Sequence, residues 1–407
     1  MGPNGSSENE KDNLHHAKDA GVRPVAVAPL DTRQPHMVFD NFNLDVVIKV
    51  LASTIFSPFF VVFLPITFLS QTHSTHPSFI FSCVWTALVC CVATWNHIDR
   101  VYKSGGNWLF GPKKLNWDEQ IVLITGGGSG VGALLAETLA MRNVSVVVLI
   151  KDPPKFETDN GNINTYICDV SHYKAVEAVA EQIREEVGDP TILVNNAGVV
   201  QGKLLLDLTE EDIHNTFGSN TLSHFWILKA FLPALIRRGM GHVVTMSSVM
   251  GVVGAAQMTD YCASKAALIS LNQSLRFELD NRYKTPNIHT TLLLPSFIQT
   301  DLFSKTILPT SRIFNFFCPP IQPHVIVKRI IENLDQGTSE IIRLPFYTQL
   351  SRFLGDGVGV VPSWTRDMIQ RIAGADHAMR AYGPKPDAAE RLALEKERKK
   401  GSGSTDR

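Results

Sequence analysis

The sequence predicts an α/β fold: a doubly wound parallel sheet of about seven strands, carried behind an N-terminal helical hairpin that anchors in a membrane. Three observations predict it. Seven short apolar, β-rich runs alternate with helical patterns between residues 119 and 345. The first run feeds a glycine turn that opens straight into a helix, Thr125-Gly126-Gly127-Gly128-Ser129-Gly130-Val131-Gly132. Ahead of this unit lie two apolar stretches, about 50–69 and 78–98, that contain no Lys, Arg, Asp or Glu.

Residues 1–42 are polar, aperiodic and rich in Gly, Pro, Asn and Asp, so this segment is expected to be disordered. No apolar core follows the first few residues, which argues against a signal peptide. Residues 43–100 are the membrane anchor. The first stretch is long enough to cross roughly 30 Å of hydrocarbon as a helix. Pro58 and Pro65 interrupt it, which leaves a kinked span and a monotopic hairpin arm both open. Arg33 and Lys49 precede the hairpin, and Arg100, Lys103, Lys113 and Lys114 follow it, whereas the link 70–77 has no Lys or Arg. The positive-inside tendency then puts both ends, and the domain that follows, in the cytosol. The competing reading is a pair of buried core helices in a soluble protein.

Residues 101–118 form a Gly/Asn/Trp linker and 119–345 the α/β domain. Strands are expected at 121–125, 145–150, 164–168, 191–195, 242–246, 288–294 and 340–344. Helices are expected at 133–142, 172–186, 210–238 (broken near Gly218) and 260–283. Residues 346–407 are a C-terminal extension with scattered apolar residues and a charged helix candidate at 388–400, read as a solvated tail.

Bulk composition narrows the function. In 407 residues, 38 Lys+Arg face 39 Asp+Glu, a formal net charge of -1, so no nucleic-acid partner is expected. The six cysteines (Cys83, Cys90, Cys91, Cys168, Cys262, Cys318) show neither a CxxC pair nor zinc spacing. They read as reduced thiols, and no metal is expected.

The glycine turn points to a dinucleotide. Glycine allows the bend, lets the backbone approach a phosphate, and permits close packing of helix on sheet. The helix start offers free N–H groups and a positive dipole end to a pyrophosphate. That is a Rossmann-type, NAD(P)-binding arrangement. The strand 191–195 ends in Asn195-Asn196-Ala197-Gly198 at the carboxyl edge of the sheet, where ligands bind in open α/β folds. Asp169, after the third strand, is placed either to bond an adenine amino group or to cap the next helix.

Ser247-Ser248 closes a strand, and Tyr261-Cys-Ala-Ser-Lys265 opens a helix thirteen residues on from Ser248. Tyr261 and Lys265, four apart, share one helical face. A cation near a phenol favours the phenolate, lowering a value that is about 10 when unperturbed. Such a phenol exchanges a proton with an alcohol or carbonyl oxygen while hydride moves, and a serine hydroxyl holds that oxygen.

Together these motifs, in this order over roughly 116–344, resemble the short-chain dehydrogenase/reductase family. The resemblance implies that Tyr261 is the general acid/base, that Lys265 lowers its pKa and bonds the nicotinamide ribose, and that Ser248 orients substrate. Asn220 matches the family asparagine that anchors a water in the proton relay. Pro295-Ser-Phe-Ile-Gln-Thr300 matches the segment beside nicotinamide, with Ile298 offering backbone groups and Thr300 its hydroxyl. Ser296 departs from the family's usual glycine. The cofactor contacts implied are Thr125, Gly126, Ser129, Gly130, Val131, Gly132, Lys151, Asp169, Asn196, Ala197, Gly198, Tyr261, Lys265, Pro295, Ile298 and Thr300. NAD-preferring members carry an acid at the end of the second strand; here that position is Ile150, followed by Lys151 and Asp152, which favours NADP (NADPH) over NAD. Lys151 as a solvated surface charge, and NAD through Asp152, stay open.

The apolar segment after Thr300 (Phe303, Ile307, Leu308, Ile313, Phe314, Phe316, Phe317) lies where the family has its variable substrate lid. The chain looks nearest the membrane-bound retinol dehydrogenase and 17-beta-hydroxysteroid dehydrogenase groups. That resemblance implies a lipophilic alcohol or carbonyl (retinoid, steroid or long-chain) drawn from membrane lipid. It also implies an endoplasmic reticulum or lipid-droplet address and a homodimer. The alternative is a catalytically silent membrane scaffold that keeps the nucleotide fold.

Overall fold

The computed structural model describes residues 42–104, 115–152, 161–304, 306, 312–351, and 362, 364, 365, 368, 378, 379 and 382. The expected disordered N-terminus, most of the linker, Ile307 and Leu308 of the lid, and the charged helix candidate lie outside the described residues.

The apolar N-terminus forms helices α1 (Leu44–Ser53), α2 (Pro58–Val61), α3 (Phe63–Gln71) and α4 (Pro77–Ser104). Pro58 opens α2, where its missing N–H breaks no helical bond. Among the described residues one helix, Pro77–Lys103 (mean hydropathy 1.8), is by itself long and apolar enough to cross a membrane. The first stretch passes that test only as a pair, α1 with α2–α3, bent by 46°. The two arms touch: the Trp85 indole donates to the Ile55 carbonyl at 3.3 Å, and the Thr86 hydroxyl to that of Val61 at 2.9 Å. Their outer faces stay bare, with Phe59 69%, Phe81 70% and Trp95 75% exposed. Both ends return to the sheet-bearing part of the chain. Asp45, in the first turn of α1, accepts the Phe346 N–H at 2.6 Å, and the Lys103 carbonyl accepts the Ser339 N–H at 3.3 Å.

The sheet has seven parallel strands: β1 (Ile121–Thr125), β2 (Ser145–Ile150), β3 (Ile163–Ile167), β4 (Ile192–Asn195), β5 (Gly241–Met246), β6 (Ile288–Pro295) and β7 (Glu340–Leu344). Their order is β3-β2-β1-β4-β5-β6-β7, so the winding reverses between β1 and β4 and opens a crevice at their carboxyl ends. Strands buried on both faces need side chains that are apolar in both directions. Val122 and Ile124 accordingly face one layer, formed by α5 (Gly130–Ala140) and, later in the chain, the helix Pro323–Gln336. Leu123 faces the other layer, built from α6 (Tyr173–Glu186), α8 (Ser223–Arg238) and α9 (Thr259–Asn281).

Two expected helices differ in detail. The helix expected to begin at residue 133 begins at Gly130, because the glycine turn itself supplies the first turn. The expected 210–238 helix is three pieces: α7 (Glu210–Phe217), a π-turn at Gly218–Leu222, and α8. A Thr209/Asp212 capping box starts α7, and Gly239 in the left-handed region (φ 72°) ends α8. The remaining helices are α10 (Arg312–Phe317) and α11 (Pro323–Gln336).

Candidate active site

A cavity of about 410 Å³ opens at the reversal point of the sheet. Its wall includes Gly126, Ser129, Gly130, Val131, Lys151, Asp169, Asn196, Ala197, Gly198, Ser248, Tyr261, Lys265, Pro295, Ile298 and Thr300, fifteen of the residues singled out by sequence. Thr125, Gly132 and Asn220 stand behind that wall and hold it in shape.

The glycine turn is fitted to a phosphate. Gly126 adopts φ +65°, and a Cβ there would lie 2.8 Å from the Ala197 Cα. A Cβ on Gly132 would lie 2.5 Å from the Gly126 carbonyl oxygen. Ser129 is the N-cap of the eleven-residue α5 and makes no side-chain hydrogen bond to the helix's first N–H groups, and Ser129, Gly130 and Val131 line the cavity. The turn is braced across the crevice. The Thr125 hydroxyl accepts the N–H groups of Asn196 and Ala197 at 3.0 Å each. The Asn196 amide donates to the carbonyls of Thr125 (3.1 Å) and Gly126 (3.2 Å). These residues fit a dinucleotide.

Ile150 at the end of β2 is buried, and a Cβ on Gly128 would meet its Cγ2 at 3.2 Å, so the end of β2 presents an apolar side chain rather than an acid. Lys151 is largely exposed and pairs with Asp169 at 2.9 Å. Asp169 does not cap α6, whose N-cap is His172; it closes its own turn by accepting the Ser171 N–H (3.0 Å) and hydroxyl (2.6 Å). Burial works against its charge, but Ser171 and Lys151 outweigh that and hold the carboxyl down to about 2. An anionic group bound at this rim would meet Lys151 in competition with Asp169.

Tyr261 lies in the first turn of α9, and both it and Lys265 are buried (4% and 3% exposed). The Lys265 Nζ sits 5.7 Å from the Tyr261 ring centroid and donates to the Met246 carbonyl at 2.9 Å. The Ser248 hydroxyl accepts the Met250 N–H at 3.2 Å, donates to the Pro295 carbonyl at 3.4 Å, and lies near enough to the Tyr261 phenol to favour its phenolate. The Ser247 hydroxyl donates to the Lys265 carbonyl at 2.8 Å and ties α9 to the end of β5. Asn220, in the π-turn, accepts the Val199 N–H at 2.7 Å and donates to the Val199 carbonyl and the Ser264 hydroxyl, both at 3.0 Å.

The charges differ from the expectation. Burial pushes the Tyr261 phenol well above its ordinary value; the Ser248 hydroxyl opposes this without reversing it. The expected lowering by Lys265 does not prevail, because desolvation of a buried phenolate is the larger effect. The same burial brings Lys265 down to about 8.

Beside Ser248, the segment 295–300 is held in place. Ile298 forms a parallel bridge with Ile321, through Gln299 N–H to the Ile321 carbonyl and Ile321 N–H to the Phe297 carbonyl, each 2.9 Å. That pattern leaves the N–H and C=O of Ile298 itself out of the bridge to Ile321. Ser296, which replaces the family glycine, hydrogen-bonds the Tyr347 hydroxyl. Past Tyr261 the surroundings become apolar: Met258, Met250, Val200 and Phe303, whose ring meets Tyr261 edge-on at 6.2 Å.

Sequence reasoning missed several wall residues, among them Leu149, Cys168, Met246 and Ser247. Each lies at or beside the carboxyl end of a strand, the one signal available. It gave no role to Asn195 and His224, whose buried side-chain polar atoms have no hydrogen-bond partner among the described residues. Burial first, and then the Lys265 charge, keep His224 well below its ordinary value.

The family model of the short chain dehydrogenases matches residues 120–308. The chain is 36% identical over 286 residues to epidermal retinol dehydrogenase 2 of Mus musculus, covering 67% of this chain and 87% of the relative. It is 34% identical over 327 residues to retinol dehydrogenase 10 of Homo sapiens, covering 71% and 92%. A solved 4-hydroxyisoleucine dehydrogenase complexed with NADH superposes with a TM-score of 0.50 at 22% identity, covering 55% of this chain and 97% of that one; it is similar in fold.

Proposed function

The chain belongs to the short-chain dehydrogenase/reductase family, and from that premise we propose that it is a membrane-anchored, NADP(H)-dependent oxidoreductase interconverting a lipophilic alcohol and its carbonyl. The observation that carries this reading is that the braced glycine turn, the Ser248–Tyr261–Lys265 group and the apolar residues Val199, Leu302 and Phe303 line one cavity. A bound nicotinamide supplies the hydride in reduction and takes it in oxidation. The side chains handle the proton. In reduction Tyr261 gives its hydroxyl proton to the substrate oxygen, which Ser248 also hydrogen-bonds. Lys265 would hold the ribose of a bound nicotinamide nucleotide, and it sets a cation beside the phenol. Asn220 fixes Val199 at the edge of the site, and its π-turn is the place for a relay water. Retinoids fit the names of the relatives; steroids and long-chain aldehydes share the same chemistry.

Lys151, an exposed cation in the cavity wall just past the end of β2, supports NADP, as does Ile150, which withholds the acid that would favour NAD. The test is steady-state turnover of retinal, a ketosteroid and a long-chain aldehyde with NADPH and NADH, on the native chain and on Lys151→Ala. We expect NADPH to be preferred, and Lys151→Ala to raise its KM about tenfold, the loss of one charge-assisted contact on an exposed side chain. The KM for NADH should stay nearly unchanged. Nucleotide binding with no turnover of any substrate would favour a silent scaffold instead.

The anchor reading is supported by the bare faces of α2–α4 and by the return of both hairpin ends to the catalytic part, which suits a cytosol-facing enzyme on endoplasmic reticulum or lipid droplets. Alkaline carbonate extraction of expressing cells should leave the chain in the membrane pellet. Release into the supernatant would mean that the hairpin packs within a soluble protein.

A further inference from the structure

The C-terminal extension carries two residues back to the reaction centre. Met379, only 1% exposed, shares an apolar cluster with Tyr261 and Met258, and Tyr382 packs against the same cluster. Both are held by named contacts. The Tyr382 hydroxyl donates to the Leu302 carbonyl at 2.8 Å, and the Met379 sulfur accepts from the Thr306 hydroxyl at 3.7 Å. On the other side Tyr382 lies against Gly202, where a Cβ would come within 2.4 Å of the Tyr382 Cβ and φ is +70°. Gln257 donates to the Gly202 carbonyl at 3.3 Å. Residues of three loops, 200–203, 255–258 and 301–304 with Thr306, therefore converge on Met379 and Tyr382 beside Tyr261. Apart from the packing against Tyr261, none of these contacts involves the glycine turn or the proton-handling group. They belong to the apolar cluster around the Tyr261 ring, against which Phe303 also packs edge-on.

We propose that Met379 and Tyr382 form the far wall of the substrate site and set the size of the apolar alcohol or carbonyl that fits against Tyr261. This rests on the oxidoreductase reading above. A flexible, polarisable thioether suits a wall that must follow an irregular hydrocarbon surface. An aromatic ring tied through its hydroxyl gives the same wall a fixed limit. The polar end of the substrate stays at Ser248 and Tyr261, and the hydrocarbon end reaches the C-terminal residues. Gly202 acts as a positioning residue, because the absent side chain is what lets Tyr382 seat.

The experiment uses the full chain in membranes with NADPH, and compares kcat/KM for hexanal, which is small, and all-trans-retinal, which is bulky. Met379→Ala and Tyr382→Ala cut the wall back and enlarge the site, so the retinal-to-hexanal ratio should rise about tenfold, the lower end of the discrimination that a methylene provides in an apolar pocket. Gly202→Ala, which alters neither wall residue, should move the ratio in the same direction by unseating Tyr382. A ratio that stays within about twofold of the native value in all three variants overturns the proposal, as does an equal fall for both aldehydes. If the unsubstituted chain reduces neither aldehyde with either nucleotide, the oxidoreductase reading itself falls.

Discussion

Tyr261→Phe is expected to lower kcat by about 10²–10⁴-fold, the usual contribution of a positioned acid or base. The ring keeps its place, since Phe fills the same space between Met258 and Phe303. Only the hydroxyl is lost, and the Ser248 hydroxyl retains the Met250 N–H as a donor and the Pro295 carbonyl as an acceptor. Nucleotide affinity and thermal stability should therefore change little, which separates lost chemistry from lost structure. The direction of the reaction should respond to pH. Burial keeps the phenol protonated at neutral pH, which suits carbonyl reduction, where Tyr261 is the donor. Alcohol oxidation needs the deprotonated phenol, so its rate should rise with pH. Lys265, brought down to about 8, loses its charge over the same alkaline range, which limits that rise and should curve the profile near 8. Single-turnover rates measured from pH 6 to 9.5 in both directions test this. Undiminished turnover in Tyr261→Phe would end the acid/base assignment.

Much of this site was legible in the sequence because the signals were local. The strand Ser145–Ile150 announces itself as an unbroken Val/Leu/Ile run, since Val146 and Val148 pack on one layer while Val147 and Leu149 pack on the other. Tyr261 and Lys265 are four residues apart on one helix, so their meeting needs no tertiary information. What could not be read depends on distance or environment. Glycine is a poor helix former, so the start of α5 at Gly130 is invisible to propensity; the turn geometry sets it. The π-turn at Gly218–Leu222 arises where Asn220 is pulled toward Val199, a contact made across 21 positions. The upward shift of Tyr261 is a property of its burial, and a lysine four residues away says nothing about burial. Met379 and Tyr382 lie in a stretch with no periodic pattern, and nothing in that stretch points to Tyr261.

Gly132→Ala should weaken NADPH binding by roughly ten- to a hundredfold, corresponding to the about 1–3 kcal/mol typical of a forced atom in a packed site. The added Cβ would meet the Gly126 carbonyl oxygen at 2.5 Å, the Asn196 Nδ2 at 2.6 Å and the Gly127 Cα at 3.0 Å. Two of these are backbone atoms, and the third is fixed. The Asn196 amide is committed to the carbonyls of Thr125 and Gly126, and the Asn196 N–H to the Thr125 hydroxyl. Moving Asn196 therefore loosens the join between β1 and β4, and moving Gly126 reshapes the bend that receives the pyrophosphate. Gly128→Ala is the natural control, because its Cβ would meet only the Ile150 side chain, at 3.2 Å, and a side-chain methyl can give way more easily than backbone. We expect Gly128→Ala to change affinity by less than about threefold. Fluorescence titration with NADPH measures both. Thermal unfolding adds an independent check, since 100 Kd of nucleotide stabilises the native chain by about 2.7 kcal/mol, an effect Gly132→Ala should largely lose at the same concentration. Equal damage from the two substitutions would show that the close approach of Gly132 to Gly126 and Asn196 is not what shapes the nucleotide site, and the pyrophosphate would have to be sought elsewhere along the carboxyl edge of the sheet.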